Sequence, residues 1–541
     1  MPELLLTNVH VYGDGSWREG VDSIAVRDGV VVGLGTHGEV VGLVPSAEVV
    51  DLAGAWVLPG FQDAHVHPVQ AGLEMNACDL TAAEDLDGCL AAIAAYTQAV
   101  PGDGWVVGGG WSMHAFPGGV PTAASLDRIV PDRPVFLPNR DHHSAWVNTT
   151  ALELAGITAA TPDPADGRIE RDDRGEPTGA LHEGAMGLVG RLVPPPTGAD
   201  IAGALQTAQA YLHSRGITAW QDALVGDGLG MPDSLDTYLA AQQDGTLTAT
   251  VVGALWWDRD RGEEQIAELV ERRARARAAG LDAGSVKIMQ DGVCETFTAA
   301  VVEAYLGPDG QSTGNHGLSF IEPADLARYV QQLDAEDFQV HVHALGDRAV
   351  RDSLDAIEHA IAVNGRRGNR HHLAHIQIVR DEDVPRFAEL DVTANAQPLW
   401  ACLDDQMTDL TLPFLSTGAR ERQYVFRSLV DAGARLAFGS DWPVSAPDPL
   451  HGIHVAVNRV APGEDADPLL PEQCLTVTEA IDAYTRGSAF VNRREAAGTI
   501  EVGGPADLAV IDADILAIDP RAIATIRVTR TYARGRSVHV T

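Results

Sequence analysis

A small set of histidine residues stands out because their spacing could bring metal ligands together. His65 and His67 are separated by one residue, and both imidazoles lie on one face if the segment is a β-strand, since side chains alternate along a strand. A second pair with the same spacing, His341 and His343, occurs later in the chain. Neutral imidazoles and carboxylates are the ligands that Zn²⁺, Fe²⁺, Mn²⁺ and Co²⁺ accept in proteins. The pattern therefore indicates divalent-metal chemistry.

Three further residues could complete such a site. Lys287 lies in SVKIMQDG, His375 lies in HHLAHIQ at the end of a predicted strand, and Asp441 lies in RLAFGSDW. A single His-x-His pair would be weak evidence, because most such pairs are structural. Combined with His343, His375 and Asp441 at the ends of other predicted strands, the first pair favours a metal site.

The middle of the chain has the pattern needed to gather these residues. Short β-rich runs alternate with helical patterns there, and the runs are 57–67, 216–223, 247–255, 285–292, 338–345, 371–377, 391–397 and 435–442. This alternation predicts an α/β fold, a (β/α)₈ TIM-like barrel, in which side chains at the carboxyl ends of the strands meet at one end. An open doubly wound sheet is the alternative, but no GxGxxG motif follows any of the runs.

The two ends of the chain predict a separate β domain. Residues 4–12, 22–33, 506–514 and 526–540 alternate apolar and polar side chains around turn signals. Neither end has enough strands for a stable sheet, so we expect one small domain from 1–56 and 490–541, with two unrelated tails as the alternative. The barrel would occupy 57–489, with residues at about 68–200 inserted over the active site, because that gap is too long for one helix.

Composition narrows the class of partner. The 541 residues include 38 Lys and Arg against 76 Asp and Glu, a formal net charge of −38, which argues against nucleic acid. No apolar run is long enough to span a bilayer, so we expect a soluble protein without a membrane partner. The five cysteines are scattered without a CxxC pair, which favours reduced thiols and a cytoplasmic location. The expected partner is a small-molecule substrate, and a homodimer is a candidate assembly.

Several motifs resemble those of the amidohydrolase superfamily: PGFQDAHVHP, VKIMQDG, HVHALGDRA, HLAHIQ and GSDWPV. The segments DHHSAWVNTTALELAGI (141–157), TGALHEGAM (178–186) and GTIEVGGPADLAVID (498–512) are similar to the branch that includes N-substituted formamide deformylases and exoenzyme-regulator-like proteins. The likeness covers nearly the whole chain. It implies a distorted barrel, a β-sandwich built from both termini, and one or two divalent metal ions. Zn²⁺ is the first choice, with Mn²⁺, Fe²⁺ and Co²⁺ as alternatives.

The resemblance also implies a ligand set. The more buried metal would be bound by His65, His67 and Asp441, a second metal by His343 and His375, and both would be bridged by Lys287 as a carboxylated lysine. Carboxylation has a physical reason, because an ammonium group has no lone pair for a cation. An unmodified Lys287 that neutralises a nearby carboxylate is the alternative.

Three of the remaining histidines and one aspartate receive weaker expectations. His341 competes with His343, but it lies about 6.6 Å deeper along the strand, so His343 is preferred. His371 and His372 are expected to be structural. Asp291 is also expected to be structural, with a hydrogen bond to a metal ligand as its other role.

The expected reaction is hydrolysis of a C–N bond in an amide, a formamide or an N-acyl compound. A bound metal lowers the pKa of its water from about 15.7 towards ~7. Asp441 would be the general base and would pass the proton to the leaving nitrogen. His143 is a candidate oxyanion donor, besides the metal, and a structural role for it is the alternative. Cleavage of a lactone, ester or carbamate at the same site, or a non-catalytic regulator on this fold, are the other candidates.

Aromatic residues in the insertion predict where specificity arises. Trp111, His143 and Trp146 are the candidate substrate-binding residues, with Trp105, His114 and Phe116 nearby in sequence. Packing of these rings in the core of the insertion is the alternative.

Overall fold

The computed structural model describes residues 3–140, 142, 144–164, 167–494 and 496–541. The chain divides into two compact units, one formed by Met1–His67 and Gln209–Thr541 and the other by Pro68–Ala208.

The strands are numbered along the chain. They are β1 (Leu4–Gly13), β2 (Ser16–Trp17), β3 (Ser23–Arg27), β4 (Val30–Gly35), β5 (Glu48–Pro59), β6 (Phe61–Val66), β7 (Cys78–Asp79), β8 (Val106–Gly109), β9 (Val135–Pro138), β10 (Ser144–Val147), β11 (Gly167–Arg171), β12 (Pro177–Glu183), β13 (Ile217–Val225), β14 (Thr250–Trp256), β15 (Asp282–Met289), β16 (Gln339–Ala344), β17 (His372–His375), β18 (Thr393–Ala396), β19 (Leu436–Phe438), β20 (Leu508–Ile511), β21 (Val528–Ala533) and β22 (Arg536–Val540).

The α-helices are numbered in the same way. They are α1 (His37–Val40), α2 (Pro68–Asn76), α3 (Leu86–Ala99), α4 (Ala123–Asp127), α5 (Thr149–Ala155), α6 (Gly187–Gly190), α7 (Gly198–Ser214), α8 (Leu235–Asp244), α9 (Ile266–Ala278), α10 (Pro323–Ala335), α11 (Asp347–Asn364), α12 (Val384–Glu389), α13 (Thr417–Arg420), α14 (Phe426–Asp431), α15 (Pro449–Asn458), α16 (Val477–Asp482) and α17 (Ser488–Val491).

The first unit contains a parallel barrel, as the alternation of strands and helices predicts. Within the described chain its strand order is β6, β13, β14, β15, β16, β17, β18 and β19, and each neighbouring pair is parallel. The segment after β19 returns to β6, where the backbone N–H of Asp441 donates to the carbonyl of His65 at 2.8 Å. The apolar residues between the polar ones, such as Val286, Ile288 and Val342, are fully buried. The predicted barrel is therefore confirmed as a mixed α/β fold with a nearly closed parallel sheet.

Strands from both ends of the chain share a second sheet in the same unit. Its order is β22, β21, β20, β5, β1, β3 and β4, with β2 pairing with β1. Strand β20 pairs with β5 and β5 pairs with β1, so the two ends are joined in one hydrogen-bonded ladder. Leu6, Val11, Ile24, Val57 and Leu508 belong to the buried cluster of this sheet. The two ends of the chain therefore contribute strands to one sheet, and a separate domain from 1–56 and 490–541 stays a prediction.

The unit Pro68–Ala208 has a sheet and core of its own. The sheet order is β11, β12, β10, β9, β8 and β7. One buried cluster includes Cys78, Ile93, Trp111 and Trp146, and another includes Leu181.

The helices give no indication of a membrane span: across the residues that the structure describes, no helix is both long and apolar enough to cross a bilayer.

Candidate metal centre

Strand β6 and the residue that follows it, His67, place three polar side chains on one face. Asp63, His65 and His67 alternate with Ala64 and Val66, and all five residues are buried. The alternation explains why the chain can bury polar groups here, since the apolar residues take the opposite face.

The carboxylate of Asp441 lies beside both His65 and His67. Its Oδ1 lies 3.0 Å from Nε2 of His65 and 3.1 Å from Nε2 of His67. One potential ligand atom from each of these three residues lies within 4.8 Å of the others. Asp441 has a φ of 56°, a left-handed conformation that is unusual for a residue with a side chain. The strained backbone and the bond to the His65 carbonyl hold the carboxylate towards the imidazoles.

The ionisation of these groups suits a cation. Burial alone would raise the pKa of Asp441, but the hydrogen bonds to His65 and His67 hold that pKa well below its usual value. Burial, with the nearby Lys287 charge, lowers the pKa of His65 to about 3. The group is therefore an ionised carboxylate beside a neutral imidazole, which is the form that divalent metals require of both ligands.

His343 is oriented by a buried aspartate. Its Nδ1 lies 3.2 Å from Oδ1 of Asp291, which leaves Nε2 for another partner. The Asp291 carboxylate also accepts backbone N–H bonds from Leu345 at 3.1 Å, Gly346 at 2.8 Å and Ala300 at 3.0 Å. Asp291 thus fixes the ring of His343, as metal ligands are commonly fixed by an outer carboxylate.

His375 ends β17 with both ring nitrogens buried and without a protein partner in the described part of the chain. Its ring centroid lies 4.5 Å from that of His343 and 4.7 Å from that of His65. Trp400 stacks on the ring at 5.5 Å with an interplanar angle of 7°. Buried nitrogens without hydrogen-bond partners are costly. The imidazole of His375 is therefore a candidate metal ligand.

Lys287 is buried on β15 between the histidines. It is 1% exposed, and its Nζ lies 3.3 Å from Nε2 of His65. Burial lowers the pKa of Lys287 to about 7, although the Asp441 charge opposes that shift. A large fraction of the amine is therefore neutral near pH 7, and a neutral amine can react with CO₂.

His341 lies below the group rather than in it. Its Nε2 is 2.7 Å from Nδ1 of His65, and its ring centroid is 4.0 Å from that of His372. His343 and His375 face each other at the rim, and His341 supports His65 from within the barrel.

The remaining histidines of this region have structural partners. Nδ1 of His371 accepts the backbone N–H of Val340 at 3.0 Å, and its Nε2 lies 3.1 Å from Asp334. His372 lies 3.1 Å from Gln221 and 3.2 Å from Asn395.

Asp63 and Ser440 were not selected from the sequence. The Ser440 hydroxyl donates to Oδ2 of Asp63 at 2.6 Å, and the backbone N–H groups of Ser440 and His65 donate to Oδ1 at 3.1 and 3.0 Å. Asp63 therefore links β6 to the segment that carries Asp441. Burial raises the pKa of Asp63 to about 7 despite these bonds. Its spacing of two residues before His65 was the signal available in the sequence.

The predicted substrate-binding tryptophans lie inside the core of the Pro68–Ala208 unit. Trp111 and Trp146 are fully buried, and their indole N–H groups donate to the carbonyls of Leu137 at 2.7 Å and Thr122 at 2.8 Å. These contacts are those of core residues, and a role in substrate binding stays a prediction. His143 lies outside the described residues.

The sequence matches the model of the amidohydrolase family over residues 48–539. It is 30% identical to the protein LONG AFTER FAR-RED 3 of Arabidopsis thaliana over 99% of this chain and 91% of that protein. It is 28% identical to the N-substituted formamide deformylase of Arthrobacter pascens over 99% of this chain and 98% of that enzyme. The crystal structure of an uncharacterized metal-dependent hydrolase from Pyrococcus furiosus superposes with a TM-score of 0.72 at 25% identity, covering 95% of this chain and 100% of that one. This chain belongs to the amidohydrolase family.

Proposed function

We propose that this protein is a metal-dependent hydrolase that cleaves a C–N bond, in an amide, formamide or N-acyl compound, with water. The observation that carries the proposal is the convergence of His65, His67 and Asp441 within one buried group at the carboxyl end of the barrel strands. Catalytic residues of (β/α)₈ enzymes lie at that end.

The donor set fits a divalent metal. His65, His67 and Asp441 would hold one ion, and His343 with His375 would hold a second. The fit rests on two buried nitrogens of His375 and one of His67 that lack partners in the described chain. Imidazole and carboxylate donors favour Zn²⁺, with Mn²⁺, Fe²⁺ and Co²⁺ as alternatives. When bound, such an ion supplies an acidified water and positive charge near a developing oxyanion.

The residues of the chain then divide the work of hydrolysis. Asp441 accepts a proton from the attacking water, because its carboxylate is ionised and held among the ligands. As the water oxygen bonds to the carbonyl carbon and the C–N bond breaks, Asp441 returns that proton to the leaving nitrogen. Asp291 keeps His343 in one orientation throughout.

Lys287 is the proposed bridge in its carboxylated form. The carbamate would supply two anionic oxygens where the amine supplies none. Support comes from the 3.3 Å separation of Lys287 Nζ and His65 Nε2 and from the depressed pKa of the amine. Intact-mass analysis under CO₂ and crystallographic density of metal-loaded protein would test it, and an unmodified amine in loaded protein would exclude the bridge.

The choice of a C–N bond draws support from the similarity to a formamide deformylase across 99% of this chain. The same geometry serves a lactone, ester or carbamate, since each presents a carbonyl carbon to water. A panel of N-formyl, N-acyl, lactone and carbamate compounds, assayed with Zn²⁺- and Mn²⁺-loaded protein, separates these classes by rate.

Asp441→Asn is the decisive variant for the mechanism. We expect kcat to fall by roughly 10²–10⁴ because the proton acceptor is lost. Asp309→Asn, at an exposed loop position, is the matched control and should keep the wild-type rate. A folded Asp441→Asn protein with wild-type kcat would exclude the general-base role.

Metal-free preparations that stay inactive on every compound after addition of Zn²⁺, Mn²⁺ or Co²⁺ would favour a non-catalytic regulator.

A further inference from the structure

An arginine-lined cavity lies at the end of the barrel opposite the metal centre. Its volume is about 210 Å³, and its lining includes the starts of β14 and β15, the segment Asn492–Arg494 and Arg534. Lys287 lies five residues, about 16 Å of strand, beyond Asp282 at the cavity. The cavity is therefore separate from the site described above.

Positive charge dominates the described lining. Arg493, Arg494 and Arg534 face one carboxylate, Asp282. The whole chain has 76 acidic against 38 basic residues, so three arginines around one small cavity depart from its average composition. Glu495, the next residue in sequence, lies outside the described residues.

Arg494 is held in place by Asp507, and its guanidinium is incompletely paired. Its Nη2 lies 2.9 Å from Oδ2 of Asp507, and the Asp507 Oδ1 accepts the backbone N–H of Arg534 at 2.7 Å. The Asp507 carboxylate thus fixes both the guanidinium of Arg494 and the turn that carries Arg534, whose side chain is exposed. Nη1 of Arg494 is buried and has no protein partner within the described chain. A buried guanidinium N–H without an acceptor is costly, so the chain alone does not satisfy Arg494.

Arg493 shows the same incomplete pairing. Its Nη2 donates to the Asn369 carbonyl at 3.4 Å, whereas its buried Nε has no acceptor among the described residues. Gly284 at the start of β15 lets this side chain approach, since a Cβ there would lie 3.1 Å from Nη1 of Arg493. Burial lowers the pKa of Arg493, the Asp282 charge opposes that shift, and the charges of Arg370 and Arg273 lower the pKa further.

We propose that this cavity binds a phosphoryl group, either inorganic phosphate or the phosphate of a small monoester. Planar guanidinium forks match tetrahedral oxyanions, and three of them suit a dianion better than a single carboxylate. The volume equals that of about seven waters, enough for a phosphoryl group and a few further atoms.

Isothermal titration of the metal-loaded protein with inorganic phosphate, at constant ionic strength, tests the site. Arg534→Gln and Arg493→Gln should each weaken binding by about tenfold, because each removes charged hydrogen bonds. Arg261→Gln is the matched control, since Arg261 pairs with Glu268 on an exposed surface and should leave the Kd unchanged. Arg534 is itself exposed, so its variant should keep the wild-type fold.

Two outcomes would overturn the proposal. The first is that the wild-type protein does not bind phosphate at millimolar concentration, or that both arginine variants bind phosphate with the wild-type Kd. The other is binding that Asp441→Asn abolishes and the arginine variants retain, which would place phosphate at the metal centre. If the arginine variants do weaken binding, glycerol phosphate tested beside inorganic phosphate identifies the source. The ligand with the lower Kd is then the class that the cavity takes.

Discussion

Nδ1 of His65 lies 2.7 Å from Nε2 of His341, and both rings are fully buried. A metal on Nε2 of His65 requires the proton of that ring to be on Nδ1, so His341 must be the acceptor. Burial, together with the charges of His372 and His65, lowers the pKa of His341 well below its usual value, and the lone pair is therefore available. The second ring nitrogen of a metal-binding histidine more commonly donates to a carboxylate or a carbonyl. Here the acceptor is the neutral imidazole of His341.

Replacing His341 should weaken metal binding without touching a ligand. In His341→Leu the Nδ1 proton of His65 has no acceptor, and we expect metal affinity to fall by roughly 10- to 100-fold. His341→Gln keeps an acceptor oxygen at similar reach and should recover most of that loss. Chelator competition on folded protein measures both values. Equal metal affinity in His341→Leu and the wild-type protein would show that the hydrogen bond does not orient His65.

The trace of the barrel could be predicted from the sequence, and so could the strand faces of the candidate metal ligands. Alternation along a strand is a local property, so His65-Val66-His67 and Lys287 could be assigned to a face before any contact was known. The preference for His343 over His341 also followed from depth along β16. His343 lies near His375 and His341 lies beneath His65, and the choice of His343 as the ligand stays a prediction.

The contacts between distant segments could not be predicted in the same way. The bonds from Ser440 to Asp63 depend on how β19 meets β6, which no local pattern encodes. The left-handed backbone of His375, with a φ of 75°, and of Asp441 is likewise imposed by the surrounding structure, because a positive φ is uncommon for any residue with a side chain.

The ring of Trp400 should hold His375 through stacking. Trp400→Leu removes an aromatic contact worth about 0.5–1.5 kcal/mol, so metal affinity should fall by roughly 2- to 12-fold. Trp56→Leu is the matched control, since Trp56 stacks on His10 in the terminal sheet at 5.4 Å. Chelator competition on both variants gives the comparison. A loss of affinity in Trp56→Leu that equals the loss in Trp400→Leu would assign the effect to general destabilisation.

The hydroxyl of Ser440 should contribute to the stability of the barrel closure. Ser440→Ala removes the 2.6 Å bond to Asp63 and leaves a buried carboxyl oxygen with fewer donors. We expect the free energy of unfolding to fall by about 1–3 kcal/mol. Urea unfolding of Ser440→Ala, beside Ser46→Ala at an exposed loop, measures it. Unfolding midpoints that agree between Ser440→Ala and the wild-type protein would contradict a closing role for this bond.

Asp352 on α11 should make stability depend on pH. Burial raises the pKa of Asp352 to about 6, from an ordinary value of 3.8, and its Oδ2 has no partner among the described residues. Between those pH values the native state binds more protons than the unfolded chain, so the stability contribution of this group falls as pH rises. This stability contribution is fully present below the pKa of the unfolded chain, 3.8, and is fully lost above the pKa of the folded protein, about 6. Asp352→Asn cannot ionise and should therefore be more stable than the wild-type protein by about 1 kcal/mol at neutral and higher pH, after allowance for partial exposure. Its advantage should shrink as pH falls through the window.

Removing one negative charge from a chain of net charge −38 could also stabilise it, whatever the position. Asp132→Asn, at an exposed position, measures that general effect and should show little dependence on pH in this window. The difference between the two variants, followed by thermal unfolding from acidic to neutral pH, isolates the contribution of Asp352. A gain in Asp352→Asn that is independent of pH, or equal to that of Asp132→Asn, would show that Asp352 ionises normally in the folded protein.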